Sequence, residues 1–184
     1  MTAVIDFRHS EGELAALETD RSRLSMQRIV GRGNFGHVQL AEYTPADSGR
    51  ARLVAVKILS EPQSMQGSGV EALQAFEQQV SLFLMEARLM NAVRHEHVVE
   101  LVAVVLRQYP CMMVMEYMEH GDLRAYLRLC HPSRTSRLRD VGEGEMLLMA
   151  GQVASALAYM ESRRIVHRDV AARCVDDMVW LRCV

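Results

Sequence analysis

The chain has 184 residues, 49% of them apolar and 24% charged, with 21 basic and 23 acidic side chains. That length can bury a core of one domain or about one and a half, and the composition excludes disorder as the default state. A formal charge of −2 with both signs interspersed gives no general electrostatic case for nucleic acid or an anionic membrane as partner.

Residues 1–23 are mixed and charged, with Leu14 and Leu17 as weak helical signals, and read as a leader or linker. From Leu24, "LSMQRIVGRGNFGHVQLAEYT" sets a glycine-rich turn between two alternating apolar stretches, the pattern of a hairpin. "ARLVAVKIL" is compact and β-branched, a third strand, and "EPQSMQGSG" punctuates it. A long helix follows, because Phe76, Val80, Phe83, Ala87 and Met90 recur at spacings of four and three, with Ser68-x-x-Glu71 as a capping box. Glu86 falls at the border of that apolar stripe. "HVVELVAVVLRQ" and "CMMVMEYM" bring the strands to five, and "GDLRAYLRLC" is a short helix. "EMLLMAGQVASALAYM" is a helix apolar nearly all round, with Glu143 and Glu145 near its positive end. Such a helix expects burial on every side, and the residues after 160 are too few for the layer it needs.

The cysteines, Cys111, Cys130, Cys174 and Cys183, form no C-x-x-C pair, and the histidines show no metal-ligand spacing, so no metal site is read and reduced cytosolic thiols are the simplest assignment. The start has no charged-then-apolar leader pattern, and no run is long enough to span a bilayer. Arg134, Arg137 and Arg139 read as a solvated loop.

Three features carry chemistry. Gly31, Gly33 and Gly36 form G-x-G-x-x-G, extended by Val38. The flanks read strand-loop-strand, and the position about twenty residues on holds the cation Lys57, so a dinucleotide turn is disfavoured. Small glycines here let backbone N–H groups approach phosphates, although a ligand-free glycine hairpin has the same pattern. Lys57, in "VAVK", must direct its ammonium to a polar group, and Glu86 is the carboxylate available; the alternative is a surface lysine on an edge strand. His167-Arg168-Asp169 then follows the apolar helix.

With these motifs in order, "VMEYMEHGDL" between them and "VAAR" after the last, residues 24–174 resemble the protein kinase family and, within it, the receptor-type tyrosine kinases. The resemblance implies an α+β, protein-kinase-like fold: a complete N-terminal lobe of five antiparallel strands and one long helix over 24–115, a hinge over 116–119, and an incomplete helical C-terminal lobe over 120–184. It implies ATP as cofactor with Mg²⁺, and a tyrosine-bearing protein as substrate. Asp169 would accept the proton of the substrate hydroxyl, Lys57 would contact the α and β phosphates, and Glu86 would hold Lys57. Arg173 stands where tyrosine kinases have the arginine of "AAR". Gly31, Gly33 and Gly36 would cover the phosphates, Val38 and Ala55 the adenine ring, Met115 would be the gatekeeper, Glu116 and Met118 would offer backbone groups, and Asp122 would reach the ribose.

Cys174 departs from the family at a magnesium-ligating asparagine, and a thiol is a poor ligand for that ion. No Asp-Phe-Gly follows Asp169; Asp176 and Asp177 precede Met-Val and read as turn residues. The expectation is a tyrosine kinase catalytic domain by family, in an incomplete and inactive form that depends on a kinase or chaperone partner. It would be cytoplasmic, or at the cytoplasmic face of the plasma membrane within a longer receptor. The other class is a non-catalytic, nucleotide- or partner-binding module.

Overall fold

The structure, a computed structural model, describes residues 11–33, 36–60, 70–130, 141–167 and 170. Strands β1 (Leu24–Gly33), β2 (Gly36–Tyr43), β3 (Arg52–Leu59), β4 (Leu101–Val105) and β5 (Met112–Glu116) form one antiparallel sheet in the order β1-β2-β3-β5-β4. The helices are α1 (Glu11–Leu14), α2 (Val70–Ala92), α3 (Leu123–Leu129) and α4 (Glu143–Ser162). The α+β assignment and the five strands are as expected.

Strand alternation sorts β3 into two faces. Val54, Val56 and Ile58 are buried with Leu24, Ala41, Tyr43, Ala103, Val105, Met112 and Val114 in one apolar cluster. Ala55 and Lys57 fall on the opposite face. In α2 the buried residues are Phe76, Val80, Phe83, Ala87 and Met90, the apolar stripe read from the spacing. Glu71 lies in its first turn, while Ser68 falls outside the described residues.

Residues 11–23, read from the sequence as a leader or linker, pack on the sheet. Leu14 is 1% exposed. Glu18 forms a parallel bridge to Val104, and the Thr19 N–H donates to the Val104 carbonyl at 2.8 Å. β4 is the edge of the sheet, so this segment covers strand groups that would otherwise be unpaired.

The chain divides into two compact units, Met1–Ala92 with Leu101–Tyr117, and Val93–Glu100 with Met118–Val184. In the second, residues 93–100 belong with α4 although they lie between α2 and β4 in sequence. The Arg94 N–H donates to the Tyr159 hydroxyl at 3.3 Å, and the His95 ring lies 5.0 Å from that of Tyr159. In α4, Met149, Ala156 and Met160 are buried, whereas Met146, Leu147 and Leu148 are exposed. The helix is therefore buried along one stripe. Glu145 closes its first turn by accepting the Gly142 N–H at 3.2 Å.

Cys111 gives a pH prediction. Its side chain is fully buried, and that burial, reinforced by the Glu18 carboxylate, pushes the thiol up from 9.0 to about 11. The folded value is the raised one, so the thiol's contribution is complete below pH 9.0 and is lost as pH rises through about 11. Urea midpoints should fall across that window by an amount worth at most about 3 kcal/mol, and Cys111→Ala should flatten the fall relative to the unmodified chain.

Candidate active site

Sheet register gathers the expected residues onto one surface. Val38 lies opposite Lys57, which lies opposite Met113, and Ala55 pairs with both Leu40 and Met115. Directly opposed residues share a face, so Val38, Ala55, Lys57 and Met115 line the same side of the sheet. Glu116 pairs with Val54 and directs its side chain to the other side, leaving its backbone as the part able to serve this surface.

On that surface Lys57 Nζ donates to both oxygens of Glu86, at 3.0 and 2.8 Å. The side chains are 13% and 11% exposed, which removes the surface-lysine reading. The pair arises from a lysine placed among β-branched residues on β3 and a carboxylate at the border of the α2 stripe, each the polar partner the other needs. It fixes an ammonium, with donor capacity left over, on the face that carries Val38 and Ala55.

The flanks of the glycine motif continue the β1–β2 pairing. Gly31 pairs with Val38, and Gly33 with Gly36; Asn34 and Phe35 lie outside the described residues. Gly36 has φ +153°, and a Cβ there would sit 1.9 Å from the Ile58 carbonyl oxygen of β3. A glycine is therefore required for the loop to lie this close to β3. Gly36→Ala must move either β2 or β3, and is expected to destabilise the unit by about 1–3 kcal/mol in urea denaturation.

The remaining residues belong to other parts of the chain. Met118 and Asp122 belong to the second unit. There the Asp122 carboxylate caps α3, accepting the Ala125 N–H at 2.5 Å, a role its sequence position before "LRAYL" supports and the sequence reading omitted. His167 is half-buried; Arg168, Asp169, Arg173, Cys174, Asp176 and Asp177 lie outside the described residues. Among the described residues no group of three or more His, Cys, Asp or Glu side chains could hold a metal, and no helix is long and apolar enough to cross a membrane.

One compositional signal was also missed. Of the 21 basic residues, Lys57 is the only lysine; every other one is arginine. Arginine serves in solvated positions as well as lysine does, but its planar fork is no substitute for a compact ammonium gripped between two carboxylate oxygens.

Comparison with known proteins agrees with this geometry. Residues 24–176 match the family model of the protein tyrosine and serine/threonine kinases. Over 160 residues, 85% of this chain, it is 35% identical to the insulin-like growth factor 1 receptor of Bos taurus, and covers 23% of that protein. It is 35% identical over 159 residues to the insulin receptor-related protein of Homo sapiens, covering 85% of this chain and 11% of that one. To the NT-3 growth factor receptor of Gallus gallus it is 35% identical over 162 residues, covering 83% and 18%. The chain thus spans less than a quarter of the length of these relatives.

Proposed function

The chain belongs to the protein tyrosine and serine/threonine kinase family, on its tyrosine side, and from that premise we propose that its first unit binds ATP through the glycine loop and Lys57. The observation that carries the proposal is the buried, two-oxygen ion pair between Lys57 and Glu86 on the face shared by Val38, Ala55 and Met115. Backbone N–H groups of the loop would approach the phosphates, the Lys57 ammonium would neutralise charge on the α and β groups, and Val38 and Ala55 would cover the base. Met115 would bound the pocket, the backbones of Glu116 and Met118 would meet the adenine edge, and Asp122, whose Oδ1 caps α3, would have Oδ2 left to reach the ribose. Asp169, with Arg173 beside it, would orient a tyrosine hydroxyl of a protein substrate. The setting proposed is the cytoplasm, at the plasma membrane where the chain forms part of a longer receptor.

Mg²⁺ supplies charge neutralisation of the triphosphate in this family. Cys174 occupies the position of a side-chain oxygen ligand to it, so phosphoryl transfer by this chain is proposed to be impaired while nucleotide binding is retained. A calorimetric titration tests both halves. ATP should bind weakly, with Kd on the order of 0.1 mM or higher, corresponding to about 5 kcal/mol, and with little dependence on Mg²⁺. Tight, magnesium-enhanced binding, or Lys57-dependent phosphorylation of a tyrosine peptide, would contradict the impairment. Absence of any binding would favour a purely protein-binding role.

A further inference from the structure

Every basic side chain of these 184 residues other than Lys57 is an arginine. A guanidinium keeps its proton and makes a poor nucleophile, so acylation of a side-chain amine in this chain can fall on one nitrogen only. That nitrogen is enclosed. Lys57 sits on the central strand β3, between Val38 of β2 and Met113 of β5, and its Nζ donates to both Glu86 oxygens at 3.0 and 2.8 Å. Held as an ammonium against a carboxylate, with the two side chains 13% and 11% exposed, it presents no lone pair to an electrophile. The amine becomes reactive only when the pair separates, and the free energy of that local opening sets how much of the chain can react.

Acylation alters Glu86 as much as Lys57. In the opened state the ammonium gives a proton to solvent, and the neutral Nζ attacks the carbonyl carbon of an acyl thioester. The C–N bond forms and the C–S bond breaks; the sulfur leaves with the bonding pair and takes up the second proton that Nζ loses. The product is a neutral amide with one N–H. It cannot balance the Glu86 carboxylate, so closing the unit again would return that charge to a largely buried site without a counter-charge.

We propose that Lys57 is a modification site for acyl thioesters that is gated by opening of the first unit, and that acylation latches the unit open. The intact pair keeps the folded chain unmodified. A chain that opens is marked at one nitrogen, and the mark prevents the pair from forming again. The latched chain has also lost the cation of the nucleotide face, a consequence that rests on the function proposed above; the gate and the latch do not.

The probe is S-acetyl-N-acetylcysteamine, a small thioester with no nucleotide portion, and the full chain is used without ATP, so a chain that failed to bind nucleotide would refute the functional reading and leave this measurement standing. Arg28 is exposed on β1, and Arg28→Lys therefore adds a solvent-facing amine to the same unit as an internal reference. By mass spectrometry of the two peptides under native conditions, Lys57 should acetylate at least about tenfold more slowly than the amine introduced at position 28, and urea below the unfolding midpoint should accelerate Lys57 alone. Native rates within about twofold of each other overturn the gate. For the latch, the parent chain is acetylated in urea, returned to buffer, and melted beside unmodified chain taken through the same cycle. Acetylation should lower the melting temperature by about 10 °C or more, or abolish the cooperative transition. In Glu86→Gln the sign reverses, because the charge without a partner is then the ammonium and acetylation removes it, so the acetylated variant should melt at or above its unmodified form. An acetylated parent that melts with the unmodified one overturns the latch, and so does an equal loss in Glu86→Gln, which would place the effect in the bulk of the acetyl group. Where Glu86→Gln does not fold, the comparison in the parent chain decides.

Discussion

Lys57→Ala is expected to destabilise the first unit by about 3–5 kcal/mol, because Glu86 would then keep a carboxylate in a largely buried site with its partner gone. Domains of this size are stable by only about 5–15 kcal/mol, so the loss should be plain in a urea melt, and ATP binding should vanish with it. The two effects separate in a double replacement. Lys57→Met with Glu86→Leu removes both charges and fills similar volume, so stability should return to near the parent value while binding stays absent. A Lys57→Ala chain as stable as the parent would mean that the pair is solvated and contributes only a surface interaction.

Phe83→Ala should have an effect of similar size for a different reason. Phe83 is 3% exposed and lies at the middle of the α2 stripe, one turn before Glu86. Truncation removes its buried ring and leaves a cavity, at a cost of about 3–5 kcal/mol. Since Phe83 belongs to the buried stripe that seats α2, nucleotide affinity should drop along with the melting temperature even though no site residue has changed. Phe83→Leu should recover most of both. Full affinity in Phe83→Ala at a temperature where it remains folded would separate the helix's seating from the site.

How much was legible follows from the range over which each signal acts. Phe76, Val80, Phe83, Ala87 and Met90 all lie within one helix, and their 3.6-residue period is written in consecutive residues. The Lys57–Glu86 pair spans 29 residues, yet it was readable because a lysine in a β-branched strand and a carboxylate at a stripe border each lack any other satisfactory partner. The packing of residues 11–23 was not legible because nothing in their order is periodic, and what holds them lies far away: Glu18 meets Leu106 at a separation of 88 residues, through backbone groups that any sequence would present. The same holds for residues 93–100, whose place beside Tyr159 depends on a main-chain N–H and ring contacts. On α4 the composition and the partial exposure were both legible, but the phase was not, because hydrophobicity all round the helix gives no basis for choosing Met149, Ala156 and Met160 as the buried stripe.

The central claim is that Lys57 is held on a nucleotide-binding face, and protection of its amine by ATP tests that most directly. With one lysine in the chain, acetylation of Lys57 can be timed across an ATP series without any other side-chain amine competing. The account predicts a saturable slowing, half-complete at an ATP concentration on the order of 0.1 mM or higher and little altered by Mg²⁺. An acetylation rate that stays constant up to about 5 mM ATP, about fiftyfold above 0.1 mM, in a chain whose native melt is intact would contradict it.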